Sequence, residues 1–198
     1  MFMQSTWREQ LSKKLQGVFW IYLINIFVIA ETSDFYLREA AGKCTFVPIT
    51  SDNCFRVADF REEGRVSEYR DKLALNEIGF FAEFGGKAVG SIWATINHAQ
   101  EPTVVRGHMR LMPNEALIHD IVTGEKFRGL GVGPFMVGRI ASVLLAEFGV
   151  SRIIIDVNVR NNPSLRMMDK VGLHVRQKVL SISAFGTLAF EKVLKRYA

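Results

Sequence analysis

The chain has 198 residues, 48% of them hydrophobic, enough for one domain with a substantial core. Its 25 Lys and Arg against 20 Asp and Glu leave a formal charge of +5, which favours an acidic partner or substrate, but no nucleic-acid recognition motif accompanies it. The two cysteines, Cys44 and Cys54, have neither metal-site spacing nor the density of a disulfide scaffold; both read as buried thiols of a reducing, cytoplasmic compartment, and no metal site is expected.

Residues 1–40 read as an N-terminal extension of a domain spanning 41–198. A basic stretch with Arg8, Lys13 and Lys14 precedes an almost wholly apolar run from Val18 to Ala30. Thirteen residues cannot cross a bilayer as a helix, which takes about twenty. Trp7, Leu11, Leu15 and Phe19 recur at i, i+4, as on one helix face. The expected role is a helical layer packed on the domain, with the lining of an acyl pocket or contact with a membrane surface as alternatives.

Cys44 to Ile49 suits a first strand. Ser51 or Asp52 suits the cap of a helix running towards Gly64, and residues 66–76 suit a second short helix. Ile78 to Phe84, the Gly85-Gly86 pair and Lys87 to Thr95 form a hairpin signal with a two-residue turn. Pro102 and Pro113 argue for a loop around Thr103–Leu111.

The most informative stretch follows. Ala116 to Val122 reads as a mostly buried strand, and Gly133 to Phe148 carries apolar residues at helical spacing. Between them lies Arg128-Gly129-Leu130-Gly131-Val132-Gly133. A glycine-rich turn opening a helix leaves backbone N–H groups unpaired beside the positive end of the helix dipole, a ready phosphate site. The spacing fits neither a P-loop nor the Rossmann glycine pattern. Arg152 to Val159 is β-branched and apolar, a buried strand. Asn162-Pro163 then starts a helix, with Asn162 as cap and Gly172 as stop. Leu173 to Ser183 and Gly186 to Leu194 read as two final strands joined at Ala184-Phe185.

The Arg128-x-x-Gly131-x-Gly133 loop resembles the acyl-donor loop of the GCN5-related N-acetyltransferase (GNAT) superfamily. Asn161-x-x-Ser164 with a short helix ending at Gly172-Leu173 resembles that superfamily's second motif, Leu173 standing where it carries Phe. The resemblance covers about residues 115–175. It implies an α/β (α+β) fold with a mixed, mostly antiparallel sheet flanked by helices. Where many members place a tyrosine as general acid, this chain has Met168, which cannot donate a proton; Met167 and Met168 read as core filling. Phe55 to Gly64 resembles the "Arg…Phe…Glu-x-Gly" first helix of acyl-homoserine-lactone synthases and long-chain N-acyl amino acid synthases, including N-acyltyrosine synthases.

The superfamily resemblance implies direct attack of an amine on a thioester. The donor, an acyl-phosphopantetheine thioester on acyl carrier protein or coenzyme A, would be held by Ile121, Val122, Thr123, Arg128, Gly129, Leu130, Gly131, Val132, Gly133, Asn161 and Ser164. Candidates for the catalytic base are Glu115, His119 and Asp120, each of which also suits a hydrogen-bonded strand residue; an imidazole near its ordinary pKa suits base work. The subfamily resemblance implies an acidic acyl carrier protein as partner, a long acyl chain and an amino acid such as tyrosine as acceptor. Lys126, Arg128, Arg160, Arg166 and Lys170 would rim the donor mouth, and Arg106 or Arg110 would meet an acceptor carboxylate. The 15 phenylalanines could line an apolar cavity or simply fill the core. Two readings stand beside this one: acetyl-CoA-dependent acetylation of a small amine or a protein, and a non-catalytic acyl-thioester-binding module.

Overall fold

The computed structural model describes residues 19–185 and 187–197. Among the described residues, ten strands and three α-helices follow in chain order: β1 (Phe19–Ile29), β2 (Thr45–Pro48), α1 (Val66–Ala74), β3 (Ile78–Phe84), β4 (Lys87–Ile96), β5 (Thr103–Val105), β6 (Met109–Leu111), β7 (Glu115–Thr123), α2 (Val132–Ala146), β8 (Arg152–Asn158), α3 (Asn162–Lys170), β9 (Gln177–Ala184) and β10 (Thr187–Arg196). Eight strands form one sheet in the order β10-β9-β1-β8-β7-β4-β3-β2, and β5 and β6 pair as a separate hairpin. β7 and β8 run parallel; the other pairs run antiparallel. The expected mixed, mostly antiparallel sheet flanked by helices is what forms.

Alternation along the strands divides the core in two. Phe27 and Ile29 of β1, Ala116 and Ile118 of β7, and Ile153 and Ile155 of β8 pack with Phe135, Met136 and Ile140 of α2 and Met168 of α3. The opposite sheet face carries two clusters. Tyr69, Phe81 and Trp93 pack with Val57 and Cys54 at one end, and Ile24, Ile26, Leu117 and Ile154 pack with Met109 and Leu111 of the hairpin at the other.

Three expectations are corrected. Residues 19–29, taken as part of a helical extension, are β1, inserted between β8 and β9 (Ile29 opposite Ile153, Phe19 opposite Ala184). From Ile24 to Ile29 the strand is flanked on both sides and buries Ile24 and Ile26 on one face and Phe27 and Ile29 on the other, which calls for apolar residues on both; Trp20 and Ile21 at its start are exposed. Trp7, Leu11 and Leu15 lie outside the described residues. The helix expected from Ser51 to Gly64 is instead a 3-10 segment, Cys54–Asp59, and a 3-10 turn, Glu63–Arg65, leading into α1. Asn53 rather than Ser51 or Asp52 organises its start, accepting Thr50 N–H at 2.8 Å and donating to Pro48 O at 2.9 Å. Asp59 accepts Ala88 N–H at 3.0 Å, tying the segment to β4 where a continuous helix would lift it away. Third, Thr103–Leu111 is the β5–β6 hairpin rather than a plain loop.

Cys54 is buried; Cys44 is only half-buried, its thiol pKa raised by burial and then by Glu39. Among the described residues no helix is long and apolar enough to cross a membrane.

Candidate functional site

The parallel β7–β8 ladder stops early. It pairs Glu115 with Arg152 through Ile118 with Ile155, and there the two strands part. On its other side β7 bulges: Ser91 lies opposite Val122 but Trp93 opposite His119, so β7 spends one residue more than β4 between those pairs. Asp120 occupies the bulge with φ of +48°, the left-handed region that Asp tolerates better than most residues. Together, the parted strands and the bulge open a gap of about 190 Å³ lined by His119, Asp120, Asp156, Asn158, Ser164 and Met167.

On the α2–α3 side, the gap continues into a cleft of about 450 Å³. Ile121, Val122, Thr123, Arg128, Pro163, Ser164 and Met167 line it. Beside it a second cleft of about 360 Å³ runs over Gly129, Gly131 and Gly133 towards Arg166 and Lys170. Gly131 is the N-cap of α2 with φ of +81°, a conformation that a Cβ penalises. Gly133 permits close approach of α3: a Cβ there would sit 2.6 Å from Met167 Sδ. The turn thus presents the helix N-terminus to the cleft. Arg128 is largely exposed, with Glu125 at 3.4 Å.

Asn161 caps α3, its Oδ1 accepting Ser164 N–H at 3.2 Å. The cap therefore sits one residue earlier than Asn162, which the sequence favoured, because Pro163 then falls within the first turn. Met168 is fully buried in the core, as expected. Met167 packs partly buried against the same core and also lines the gap and both clefts. Of the five expected rim bases, Arg128, Arg166 and Lys170 line the glycine cleft. Lys126 lines a different cleft, with Phe60 and Arg61.

The three expected base candidates separate. Glu115 stands at the far end of β7, four residues before His119, or about 13 Å along the strand. Its carboxylate is taken up by Arg152 at 2.5 Å and Met112 N–H at 3.0 Å, locking the start of the β7–β8 ladder rather than reaching the gap. Asp120 is ion-paired with Lys72 and lies 3.9 Å from Arg61. Burial alone would raise its pKa, but the Lys72 hydrogen bond and charge, with Arg61, outweigh it and hold the carboxyl below its usual range. His119 is the third. Burial, then the charges of Arg106 and Lys72, push its pKa down to about 3, so at neutral pH the imidazole is uncharged.

Around His119 lie residues the sequence did not single out. Thr95 Oγ1 is 3.0 Å from His119 Nε2 and donates to Glu77 Oε1 at 3.2 Å. Lys72 Nζ stands 5.0 Å over the Trp93 ring and 5.4 Å over Tyr69. His108, stacked on Tyr22, meets Asp156 at 3.1 Å; burial lowers its pKa, but the Asp156 hydrogen bond and charge raise it overall. These groups come from α1, the residue before β3, β4, β7, β8 and the hairpin, so no local pattern marks them. Arg106 sits at the hairpin turn, where its charge is felt at Glu77, His108 and His119. Arg110 faces a different cleft, with Arg152 and Glu191.

Comparison with known proteins agrees with the fold. Residues 45–173 match the model of a family described as the acetyltransferase (GNAT) family. No curated protein matches the chain. Among solved structures, a GCN5-related N-acetyltransferase from Kribbella flavida superposes with TM-score 0.54 at 11% identity, covering 88% of this chain and 63% of that one. A second from Sphaerobacter thermophilus gives TM-score 0.53 at 12% identity over 99% of this chain and 59% of its own. AAC(6')-Iy in complex with the bisubstrate analogue CoA-S-monomethyl-acetylneamine gives 0.51 at 15% identity, over 65% and 88%. The chain thus spans about three fifths of the length of the first two, and at such identities the likeness is one of fold.

Proposed function

The chain belongs to the GNAT acetyltransferase family, an N-acyltransferase fold, and from that premise we propose that it moves a short acyl group from a phosphopantetheine thioester to an amine by direct attack across the β7–β8 gap. One observation carries this reading: the open gap joins the glycine turn at the head of α2, on one sheet face, to a neutral buried histidine on the other. The donor phosphates meet the backbone N–H groups at Gly131–Gly133, with Arg128, Arg166 and Lys170 adding charge. The pantetheine arm runs along Ile121–Thr123 and the thioester enters the gap. There the bulge at Asp120 turns backbone N–H groups away from the β4 ladder, towards a developing oxyanion.

The amine meets the thioester in the gap beside His119. Of the three candidates His119 alone lines the gap uncharged, whereas Asp120 is committed to Lys72 and Glu115 is remote; its pKa near 3 lies well below the near-neutral value that favours base work, so its claim to the role rests on position. The thiolate needs no dedicated acid, which fits Met168 in place of tyrosine. A gap of about 190 Å³ is smaller than the roughly 300 Å³ at which sites for drug-sized ligands begin, and suits a short acyl group. Phe27, Phe80, Phe81 and Phe135 are packed into the cores instead of lining a tunnel.

A second reading, long-chain transfer from acyl carrier protein to an amino acid, is favoured by the basic rim of Arg128, Arg166 and Lys170, which suits an acidic carrier. The test is amine-dependent thiol release from acetyl-CoA, from a long-chain acyl-CoA and from the corresponding acyl carrier proteins, over a panel of amines. Turnover of acetyl-CoA supports the first reading, and turnover only of long-chain carrier protein the second. Donor binding without thiol release for any amine overturns both and leaves a binding module.

A further inference from the structure

Counting protons around His119 shows more than its position does. The Thr95 hydroxyl has one proton, and it is given to Glu77 Oε1. With Glu77 ionised, the N–H in the 3.0 Å contact between Thr95 Oγ1 and His119 Nε2 then comes from the imidazole; burial raises the Glu77 pKa, while the Arg106 and Lys72 charges and the Thr95 hydrogen bond favour the carboxylate. Nδ1 is then bare, and it is buried without a hydrogen-bond partner on a side chain only 5% exposed. Glu77 Oε2, equally buried and unpartnered, lies 3.6 Å from Nε2. Strand register explains the grouping: Ile78 faces Ala94 and Trp93 faces His119, so Glu77, Thr95 and His119 fall diagonally on one sheet face.

We propose that Glu77, acting through the Thr95 hydroxyl, is the positioning residue that holds His119 as the Nε2–H tautomer, with Nδ1 free to take the proton of the attacking amine. The inference rests on the acyl-transfer reading above. In the step it serves, the amine lone pair forms the C–N bond to the thioester carbon while the N–H proton passes to Nδ1. The C–S bond then breaks and its electron pair leaves on sulfur. The imidazolium gives its proton to solvent, from which the thiolate takes one. Glu77, close to Nε2–H, steadies the transient imidazolium, as a carboxylate does behind any catalytic histidine. The charges facing His119 are Glu77 Oε2 at 3.6 Å from Nε2, Asp120 beside it on β7, Lys72 on α1, and Arg106 and His108 on the hairpin. Burial, Arg106 and Lys72 keep the resting imidazole neutral, so Nδ1 carries no proton at neutral pH when Nε2 holds the N–H.

The experiment reads the tautomer directly, by long-range proton–nitrogen spectra of the full chain labelled at histidine, alongside the kinetics. Wild type and Thr95→Ser should show His119 protonated at Nε2. Thr95→Val should lose that preference. Glu77→Gln should shift the proton towards Nδ1, because its amide presents N–H to Thr95 or to Nε2. In both Thr95→Val and Glu77→Gln, kcat should fall on the order of 10²-fold with the donor KM unchanged, and the acid limb of the kcat–pH profile should move. An active enzyme whose tautomer and kcat are indifferent to Glu77→Gln, or a wild type protonated at Nδ1, overturns this assignment. A wild type with no amine-dependent thiol release overturns the transfer reading instead.

Discussion

On the α2–α3 face of the β7–β8 gap, the recognition we propose comes from backbone: a helix N-terminus turned by Gly131, a close approach allowed by Gly133, and exposed bases at the rim. On the opposite face it comes from buried side chains, with Lys72 against Asp120, Thr95 between Glu77 and His119, and His108 against Asp156. Backbone recognition suits a donor whose phosphates are always the same. Side-chain recognition suits an acceptor and a proton transfer, where each group's protonation matters. The two faces should therefore fail differently when altered.

The sharpest separation is expected at His119. His119→Gln should lower kcat by about 10²–10⁴-fold while leaving donor affinity, read by calorimetry with an acyl-CoA, within twofold or so; equal loss of both would mean that the two faces are not separable. Next is Lys72→Met, which leaves Asp120 buried without its main cation. It should cost about 3 kcal/mol of stability in chemical denaturation, and Lys72→Met combined with Asp120→Asn should recover much of that.

Acid should act on the same face. His119 has a folded pKa near 3 against an ordinary value of 6.5, so between those values the unfolded chain takes up a proton that the folded chain refuses. Stability must therefore fall as pH drops from 6.5 towards 3. Asp120, its folded pKa depressed, adds a second loss below the ordinary aspartate range, as pH falls through that folded value. Melting temperature followed from pH 7 to pH 4 should decline less steeply in His119→Gln than in wild type; parallel curves would contradict the buried neutral imidazole.

The donor face should respond more gently. Gly133→Val pushes Met167 into the glycine cleft and should raise the donor KM about tenfold, worth about 1.4 kcal/mol, with kcat extrapolated to saturating donor retained. Smallest are Arg166→Ala and Lys170→Ala, exposed bases worth about 0.5 kcal/mol each, or two- to threefold in donor KM. That effect should vanish at high salt, and persistence there would indicate direct, desolvated phosphate contacts.

How much of this was legible beforehand follows the same division. The donor face was readable because its chemistry is local. Arg128 to Gly133 is one turn, Asn161 to Ser164 is one cap, and strands before each were marked by β-branched runs. The Gly85-Gly86 hairpin was readable for the same reason, both residues taking positive φ as the tight turn requires. The acceptor face was not, since Glu77, Thr95 and Lys72 carry no motif and meet His119 only through register and the packing of α1. Glu115 misled because nearness along a strand is not nearness to a gap: four residues separate it from His119, and Arg152 already holds it.

The amino-acid sequence by itself determined the elements whose signals lie within a turn or a strand's length: the glycine turn at the head of α2, the capped start of α3, the hairpin, and the broad class of sheet. Only tertiary structure decided that residues 19–29 extend as the strand between β8 and β9, since a short apolar run suits helix and strand alike until its neighbours claim its hydrogen bonds. Tertiary structure also decided which of three acidic or basic side chains stands at the gap uncharged and without an ion-pair partner of its own strand, because burial and charge partners, which set protonation, are properties of the packed chain.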